Sequence, residues 1–307
     1  MASSQTVVND KSLLSVQELA KEPMFAIPQR YVQVHQEPTV HSDAFSLPIV
    51  DMKNLSIGGA KDLELENLHS ICKTLGIFQY FDFMAEQGLR HKLASFELES
   101  FLFLDTTAIR GRGVRTEDLH VTSEATHQLV VNHGVSSLRV EKLKHEIEEF
   151  YKLPVKEKYK VKPGDVEGYG HTMIRSEDEK AHWGVRLYMI TNPIHRRKPH
   201  LLPELPVSLR DTLEFYFSEL QKNAMTLLGL MVDALKIDNG EIKEMFMDGM
   251  QSVRMNYYPP CPQPEQVMGF TPHSDVTGIT ILLEINGVAG FQVKKDGKKI
   301  SSRNTFF

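Results

Sequence analysis

The sequence predicts an α+β fold in which helices come first and short strands come last. Three segments, which begin near Asp62, Ser137 and Ser208, carry apolar residues spaced by three and four positions, a pattern typical of amphipathic helices. From Met255 onward, short runs rich in Val, Ile, Tyr and Phe are separated by Pro and Gly, which is typical of strands. We therefore expect a helical N-terminal part packed on an all-β unit that carries the chemistry.

The first elements are marked by capping residues and by one apolar run. Ser15-Val16-Gln17-Glu18 has the spacing of a capping box and predicts a short helix. The run "LPIVDM", residues 47–52, is predicted to be a buried strand. Asp62 then caps a helix that Gly76 ends, and Ile77-Phe78 begins a further strand.

Residues 80–129 do not follow a regular pattern. The stretch "FELESFLFLD" is apolar without a clean period, and "TTAIRGRGVRTEDLHVTSEATH" is typical of a polar loop. Structureless segments of this length are uncommon inside a compact domain. We therefore interpret residues 80–129 as an insertion.

Two longer helices follow the insertion. Ser136 or Ser137 caps a helix that ends at Pro154. Ser208 begins the longest helix, and after Asn239-Gly240 the chain enters a short one. The apolar stripe of the longest helix is predicted to be core and consists of Leu213, Phe217, Leu220, Ala224, Leu227, Leu228, Met231 and Leu235.

The C-terminal part is predicted to be built from short strands. Asp296-Gly297 is typical of a tight hairpin turn between two of them. The predicted strands are Met255–Tyr258, Val267–Phe270, Thr280–Ile285 and Phe291–Lys294.

Composition excludes several classes of protein. The formal net charge is −5 and charged residues make up 24% of the chain, so the total charge gives no sign of a nucleic-acid or anionic-membrane partner. Two cysteines cannot form a disulfide framework, and no apolar run approaches the length of a membrane span. The first residues lack a basic segment followed by an apolar stretch, so we expect a cytoplasmic protein, without a secretory signal.

His273 and Asp275 are the candidate metal ligands. In an extended segment, side chains two positions apart point to the same face, so both can reach one ion. Imidazole and carboxylate suit divalent iron, manganese or zinc. A His-x-Asp match alone is weak, because about 0.6 such matches are expected by chance in this chain. A second match, His41-Ser42-Asp43, lies in a loop with no pattern of a site around it.

The surroundings of the later match carry a specific resemblance. Asn256-Tyr257-Tyr258-Pro259-Pro260-Cys261 lies upstream of His273-Ser274-Asp275, and "TGITILLEINGVAGFQV" lies downstream. With these motifs the sequence resembles the plant 2-oxoglutarate- and iron(II)-dependent dioxygenases. It is similar in detail to the branch of senescence-related oxidoreductases and codeine O-demethylase, through "SVQELAKEP", "LPIVDM", "VNHGV" and "EEFYKLPVKEKYK".

The resemblance implies a fold, a site and a reaction. The fold would be a double-stranded β-helix, or jelly roll, with a two-histidine, one-carboxylate iron site. His273 and Asp275 correspond to the first two ligands of Fe(2+), and Tyr258 and Asn256 to residues that hold 2-oxoglutarate. O2 would be the co-substrate and ascorbate a reductant. The expected reaction is hydroxylation, demethylation or desaturation of a small plant secondary metabolite or hormone precursor by a monomer, without nucleic-acid or membrane partners.

The sequence also departs from the family pattern. The distal histidine ligand is expected well after Asp275, but His273 is the last of the 13 histidines. Arg303-Asn304-Thr305 comes too early to be the Arg-x-Ser pair that binds 2-oxoglutarate in the family. His182 stands before a tryptophan where the family has an acidic residue, and we interpret it as a surface or packing residue, not as a replacement ligand.

These departures define the domain limits and the alternative function. The N-terminal domain is expected at 47–165, interrupted at 80–129 by a retained intron or mis-spliced exon, with a helical linker at 166–247. The jelly roll is expected at 248–307, incomplete at its C-terminus and with unpaired strand edges. The alternative to an active oxygenase is therefore a catalytically inactive truncated isoform or gene-model fragment, which would bind iron and 2-oxoglutarate poorly.

Overall fold

A computed structural model gives the structure of most of the chain. It describes residues 15–21, 23–33, 39–40, 49–56, 60–74, 95–103, 129–131, 134–159, 161, 166–171, 179–202, 204–236, 249–273, 278–286, 292–295 and 298–301. Across those ranges, no helix combines the length and the apolar character needed to cross a bilayer.

In the described part, helices and strands alternate as far as the helix Val207–Leu235, and only strands and one 3-10 turn follow it, so the predicted order of helices first and strands last holds for the C-terminal part alone. The helices are α1 (Val16–Leu19), α2 (Met52–Ser56), α3 (Lys61–Thr74), α4 (Ser137–Lys152), α5 (Val155–Lys158) and α6 (Val207–Leu235). The strands are β1 (Thr39–Val40), β2 (Ile49–Asp51), β3 (Ser95–Phe103), β4 (Leu129–Val131), β5 (Gly168–Gly170), β6 (Val185–Asn192), β7 (Met250–Tyr258), β8 (Ile279–Glu284), β9 (Gln292–Lys295) and β10 (Lys298–Ser301).

The largest sheet positions the candidate site. Its strand order is β5-β6-β7-β3-β8, and every neighbouring pair is antiparallel. Two smaller sheets accompany it in the described ranges: β2 pairs with β4 in parallel, and β1-β10-β9 forms the other. The α+β fold predicted from the sequence is therefore confirmed.

Strand β3 lies inside the stretch that the sequence pattern marked as an insertion. It pairs with β7 along nine positions, from Ser95 opposite Tyr258 to Phe103 opposite Met250. Its other edge pairs with β8, from Glu97 opposite Glu284 to Leu102 opposite Ile279. Strand β7 is therefore paired on both sides, by β6 and by β3, and β5 and β8 are the end strands of this sheet.

The main core lies between the helices and one face of this sheet. The Tyr151 hydroxyl donates to the backbone carbonyl of Met255 at 2.7 Å, and its ring stacks on Tyr257 with centroids 5.1 Å apart. These contacts join α4 to β7. The buried apolar side chains of this core include Val140, Leu143, Ile147, Phe150, Leu209, Leu213, Phe217, Leu220, Val185, Leu187, Met189, Val253 and Met255.

A buried polar cluster attaches α1 to this core. Lys158 is fully buried, and its Nζ donates to Gln17 Oε1 at 2.5 Å and to the Tyr151 carbonyl at 2.8 Å. Gln17 Nε2 donates to the same carbonyl at 2.6 Å, and the Tyr169 hydroxyl donates to Gln17 Oε1 at 3.0 Å. The ammonium group is therefore hydrogen-bonded in an apolar setting, as a buried charge requires.

Most of the predicted helices are confirmed. Ser15 caps α1 by accepting from the Gln17 amide, and α4 begins after Ser136 and ends before Pro154. Helix α6 begins one residue before Ser208, and its predicted stripe is buried from Leu213 to Met231. A second core cluster packs α6 against α2 and α3 and includes Val50, Leu55, Leu68, Ile71, Leu227 and Met231.

The strand predictions have a mixed outcome. The strand predicted at Val267–Phe270 is wrong: after the 3-10 turn Pro264–Gln266 this segment makes isolated contacts, such as the Trp183 amide to the Met268 carbonyl at 2.8 Å. Lys295 pairs with Lys298, so β9 and β10 form the predicted hairpin. The turn residues Asp296-Gly297, the strand start at Ile77-Phe78 and the short helix after Asn239-Gly240 lie outside the described residues.

Candidate active site

Strand β7 separates the core from the candidate site. Val253 and Met255 are buried in the main core, and side chains along a strand alternate between its two faces. Arg254, Asn256 and Tyr258 therefore share the opposite face. A hydrogen bond between Arg254 and Asn256 confirms that the first two lie on one side.

Asn256 presents a buried hydrogen-bond donor on that face. Its side chain is 2% exposed, and its Oδ1 accepts from Arg254 Nε at 2.8 Å. Its Nδ2 is buried and has no hydrogen-bond partner among the described residues. Because a buried polar atom without a partner costs about 1–3 kcal/mol, such an atom is expected to bind a ligand oxygen or water.

Tyr258 is held by two glycines from different segments. A Cβ atom at Gly184 would lie 2.8 Å from Cδ1 of the Tyr258 ring, and one at Gly269 would lie 2.9 Å from the same atom. Real Cβ atoms do not approach this closely, so only glycine fits at either position without moving the ring. Gly184 precedes β6 and Gly269 follows the 3-10 turn, and together they form a cradle for the ring.

His273 is exposed, and its imidazole is anchored through Nδ1. Its Nδ1 lies 2.8 Å from the Thr271 carbonyl, which can only accept. Nδ1 is therefore a protonated nitrogen, and in the neutral imidazole Nε2 would carry the lone pair, the arrangement found in metal-binding histidines. Asp275, the second predicted ligand, lies outside the described residues.

Phe270 lies among three polar side chains of this face. Its ring is 4.4 Å from the His273 ring and 5.3 Å from the His182 ring, both edge-on, and the Arg254 guanidinium lies 4.0 Å over it. These ring contacts bring Arg254, His182 and His273 to one place. They connect β7 to the segment that carries the predicted ligands.

His182 is a packing residue, as predicted, but it packs at the site. Its Nε2 contacts the Thr271 hydroxyl, and its Nδ1 is buried without a described partner. Burial lowers the pKa of His182, and the positive charge of Arg254 lowers this pKa further. The imidazole is therefore neutral at pH 7.

The residues present fit iron and 2-oxoglutarate. The His273 imidazole is an iron-type ligand, and the buried Asn256 amide is a donor suited to a carboxylate or keto oxygen. Within the described ranges, no three His, Cys, Asp or Glu side chains come together as a metal cluster. A set of three protein ligands would therefore need residues outside those ranges, of which the predicted Asp275 is one.

Arg254, Phe270 and the two glycines were not singled out from the sequence. Arg254 stands two positions before Asn256, so strand periodicity alone places both on one face. The approach of Phe270, Gly184 and Gly269 to that face depends on how separate segments pack. That packing leaves no local sequence signal.

Comparisons with known proteins agree with this site. Residues 249–306 match the model of the 2OG-Fe(II) oxygenase superfamily, and residues 126–205 match that of the non-haem dioxygenase in morphine synthesis N-terminal region. The chain is 39% identical over 293 residues to protein SRG1 of Arabidopsis thaliana, covering 92% of this chain and 68% of the relative. It is 38% identical over 309 residues to thebaine 6-O-demethylase of Papaver somniferum, covering 95% and 70%.

A solved structure shows the same fold. The crystal structure of JOX2 in complex with 2OG, Fe and JA superposes with a TM-score of 0.58 at 20% identity, covering 89% of this chain and 73% of that one. The chain therefore belongs to the 2OG-Fe(II) oxygenase superfamily and has its jelly-roll architecture. Within that superfamily it belongs to the plant branch that includes SRG1, thebaine 6-O-demethylase and codeine O-demethylase.

Membership of the 2OG-Fe(II) oxygenase superfamily indicates which cofactors the family uses. Its members are oxidoreductases that use Fe(2+) and 2-oxoglutarate, with O2 as co-substrate. The expected Fe(2+), 2-oxoglutarate and O2 are therefore confirmed at the level of the family, and ascorbate stays a prediction.

Proposed function

We propose that His273 and Asp275 bind the iron of this oxygenase and that Asn256 and Tyr258 hold its 2-oxoglutarate. The observation that carries the proposal is the buried Nδ2 of Asn256, which stands two residues before the cradled Tyr258 and shares its face of β7. A buried donor without a protein partner fits an anionic oxygen ligand. The tautomer of His273 supports its role as a ligand through Nε2.

We propose that the side chains of this protein bind and orient iron and 2-oxoglutarate, and that these bound groups carry out the reaction. Iron and 2-oxoglutarate, when bound with O2, supply the oxidising chemistry. Asn256 donates to an oxygen of the keto acid, and the Tyr258 ring, fixed by Gly184 and Gly269, limits where that acid can lie. The Phe270 ring borders His273 and keeps an apolar surface beside the metal position.

We propose a small, largely apolar plant metabolite as the organic substrate. Three relatives are named as O-demethylases, acting on thebaine, codeine and a flavonoid 7-O position, with 38%, 36% and 35% identity to this chain. Those names support an alkaloid, flavonoid or hormone precursor, with demethylation, hydroxylation or desaturation as the outcome. We also propose that the protein acts in the cytoplasm and that it is a monomer. Light scattering after gel filtration would test the oligomeric state.

Binding measurements test the assignment of residues. In anaerobic calorimetry, the purified chain should bind Fe(2+), and 2-oxoglutarate should bind in its presence. His273→Ala and Asp275→Ala should each weaken iron binding by about tenfold or more, because each removes one ligand. His195→Ala is the matched control, since His195 is exposed in the 3-10 turn Ile194–Arg196. Equal iron affinity in all four proteins would refute the ligand assignment.

Turnover separates the active oxygenase from the inactive isoform. Succinate formation should require Fe(2+), O2 and an organic substrate from a panel of O-methylated alkaloids and flavonoids, with ascorbate present. If 2-oxoglutarate binds but no panel member gives succinate, the inactive alternative is favoured. Substrate-dependent succinate would exclude that alternative.

A further inference from the structure

Arg254 contacts both Asn256 and Phe270 on the site face of β7. Its Nε donates to Asn256 Oδ1 at 2.8 Å, and its guanidinium carbon lies 4.0 Å from the centre of the Phe270 ring. The first contact is a charge-assisted hydrogen bond and the second is a cation–π stack. A planar guanidinium can make both at once.

The hydrogen bond decides which end of the Asn256 amide a ligand meets. A side-chain amide has one oxygen, which accepts, and one NH2 group, which donates. Arg254 occupies the oxygen, and the Nδ2 stays buried without a described partner. A ligand at this position therefore meets a donor. If the amide turned over, the ligand would meet an oxygen, which repels a carboxylate.

The stack affects the segment that carries His273. The Phe270 ring is covered on its face by Arg254 and is contacted edge-on by His273, with centroids 4.4 Å apart. The half-buried ring thus has the guanidinium on one side and the predicted iron ligand on another. Arg254 restricts how Phe270, and with it the border of the metal position, can move.

From these contacts we propose that Arg254 is the positioning residue of the site. It holds the Asn256 amide with its NH2 group directed to 2-oxoglutarate, and it holds Phe270 against His273. The proposal rests on the proposed function, because it concerns the same 2-oxoglutarate position. Arg254 acts through Asn256 and Phe270, so its loss should weaken 2-oxoglutarate binding more than iron binding.

Calorimetry with 2-oxoglutarate on the iron-loaded, anaerobic full chain tests this role. Arg254→Gln should raise the 2-oxoglutarate Kd by about 10- to 100-fold, the range expected for a charge-assisted hydrogen bond, and change the Fe(2+) Kd by less than about threefold. Arg254→Lys keeps a cationic donor but loses the planar stack, so it should recover part of the affinity. Arg196→Gln is the matched control, since Arg196 is exposed in the 3-10 turn Ile194–Arg196, outside the site face of β7. It should leave the 2-oxoglutarate Kd within about threefold.

A double-mutant cycle distinguishes positioning from general stability. In an Asn256→Ala background the amide is gone, so Arg254→Gln should have little further effect on 2-oxoglutarate binding. The proposal would be overturned if Arg254→Gln had the wild-type affinities for both Fe(2+) and 2-oxoglutarate. It would also be overturned if Arg254→Gln weakened 2-oxoglutarate binding equally in the wild-type and Asn256→Ala backgrounds. Arg254→Lys serves this comparison if Arg254→Gln does not fold. If the wild-type chain itself does not bind 2-oxoglutarate, the proposed function fails, which is a different result.

Discussion

Adding one methyl group beside Tyr258 should impair 2-oxoglutarate binding. In Gly184→Ala the new Cβ would lie 2.8 Å from Cδ1 and 3.0 Å from Cε1 of the ring, and 3.4 Å from the Tyr257 carbonyl oxygen. Carbon atoms in ordinary contact are about 3.5–4.0 Å apart, so the ring must retreat by about 0.7 Å. Gly269 packs on the same ring, since a Cβ atom built there would lie 2.9 Å from it, so the Gly269→Ala change tests the same contact.

The size of the effect follows from overpacking. Extra methyl groups in well-packed sites cost about 1–3 kcal/mol, and about 1.4 kcal/mol is a tenfold change in affinity. Gly184→Ala and Gly269→Ala should therefore each raise the Kd for 2-oxoglutarate by about 5- to 150-fold where the strain is relieved by moving the ring. Neither glycine has the positive φ that makes alanine unfavourable by itself, so the effect is steric.

Calorimetry of the iron-loaded chain measures this change, and a Tyr258→Ala background provides the control. Without the ring, the alanine at position 184 has nothing to displace, so Gly184→Ala should then change the Kd by less than about twofold. The reasoning is refuted if folded Gly184→Ala binds 2-oxoglutarate as wild type does, or if its effect persists without the ring.

Three further predictions concern the scaffold. Burial lowers the pKa of Lys158 to about 8, with the charge of Lys21 adding to the shift, so between pH 8 and 10 the unfolded chain binds more protons than the folded one. Relative to the Lys158→Met variant, the free energy of unfolding should thus rise by about 2 kcal/mol between pH 7 and pH 9.5, as measured by urea titration at each pH. If the difference in stability between the two proteins did not change with pH, the burial of this amine would be contradicted. Tyr151→Phe removes the hydrogen bond to the Met255 carbonyl and should lower stability by about 1–2 kcal/mol in urea unfolding, whereas an unchanged midpoint would mean that this bond contributes nothing. Ser100→Pro should destabilise the chain by about 1–3 kcal/mol compared with Ser100→Ala, because position 100 pairs with both β7 and β8 and proline cannot donate to either. Equal melting temperatures for the two variants would contradict the placement of β3 inside the sheet.

The helices could be predicted because their cause is local. The spacing of Val140, Leu143, Ile147 and Phe150 is a helical stripe, and all four residues are buried in the core. The same holds for the stripe of α6. Such periodicity depends only on which face of one element meets the core, so one sequence reveals it.

Strand β3 could not be predicted because its cause is non-local. Glu97 and Glu99 alternate with Phe96 and Leu98, but the alternation breaks at Ser100, so the run has no clear strand period. Its place between β7 and β8 depends on strands that lie far along the chain. Strand order is not encoded in the pattern of one segment.

Only part of the candidate site could be predicted, because some of its residues stand in local motifs and others are brought in by packing between distant segments. Asn256, Tyr258 and His273 stand in motifs that identify them by spacing and resemblance. The cradle at Gly184 and the stack on Phe270 arise where separate segments meet. Motifs therefore indicated the groups that we propose to contact the ligand, and the structure added the neighbours that pack against them.

The most direct test of the site is the visible charge-transfer absorption that forms when ferrous iron and 2-oxoglutarate bind together without oxygen. The wild-type chain should develop this band, and it should be absent in His273→Ala and retained in His195→Ala. Absence of the band in the wild-type chain, or the same band in His273→Ala, would contradict the assignment of the site.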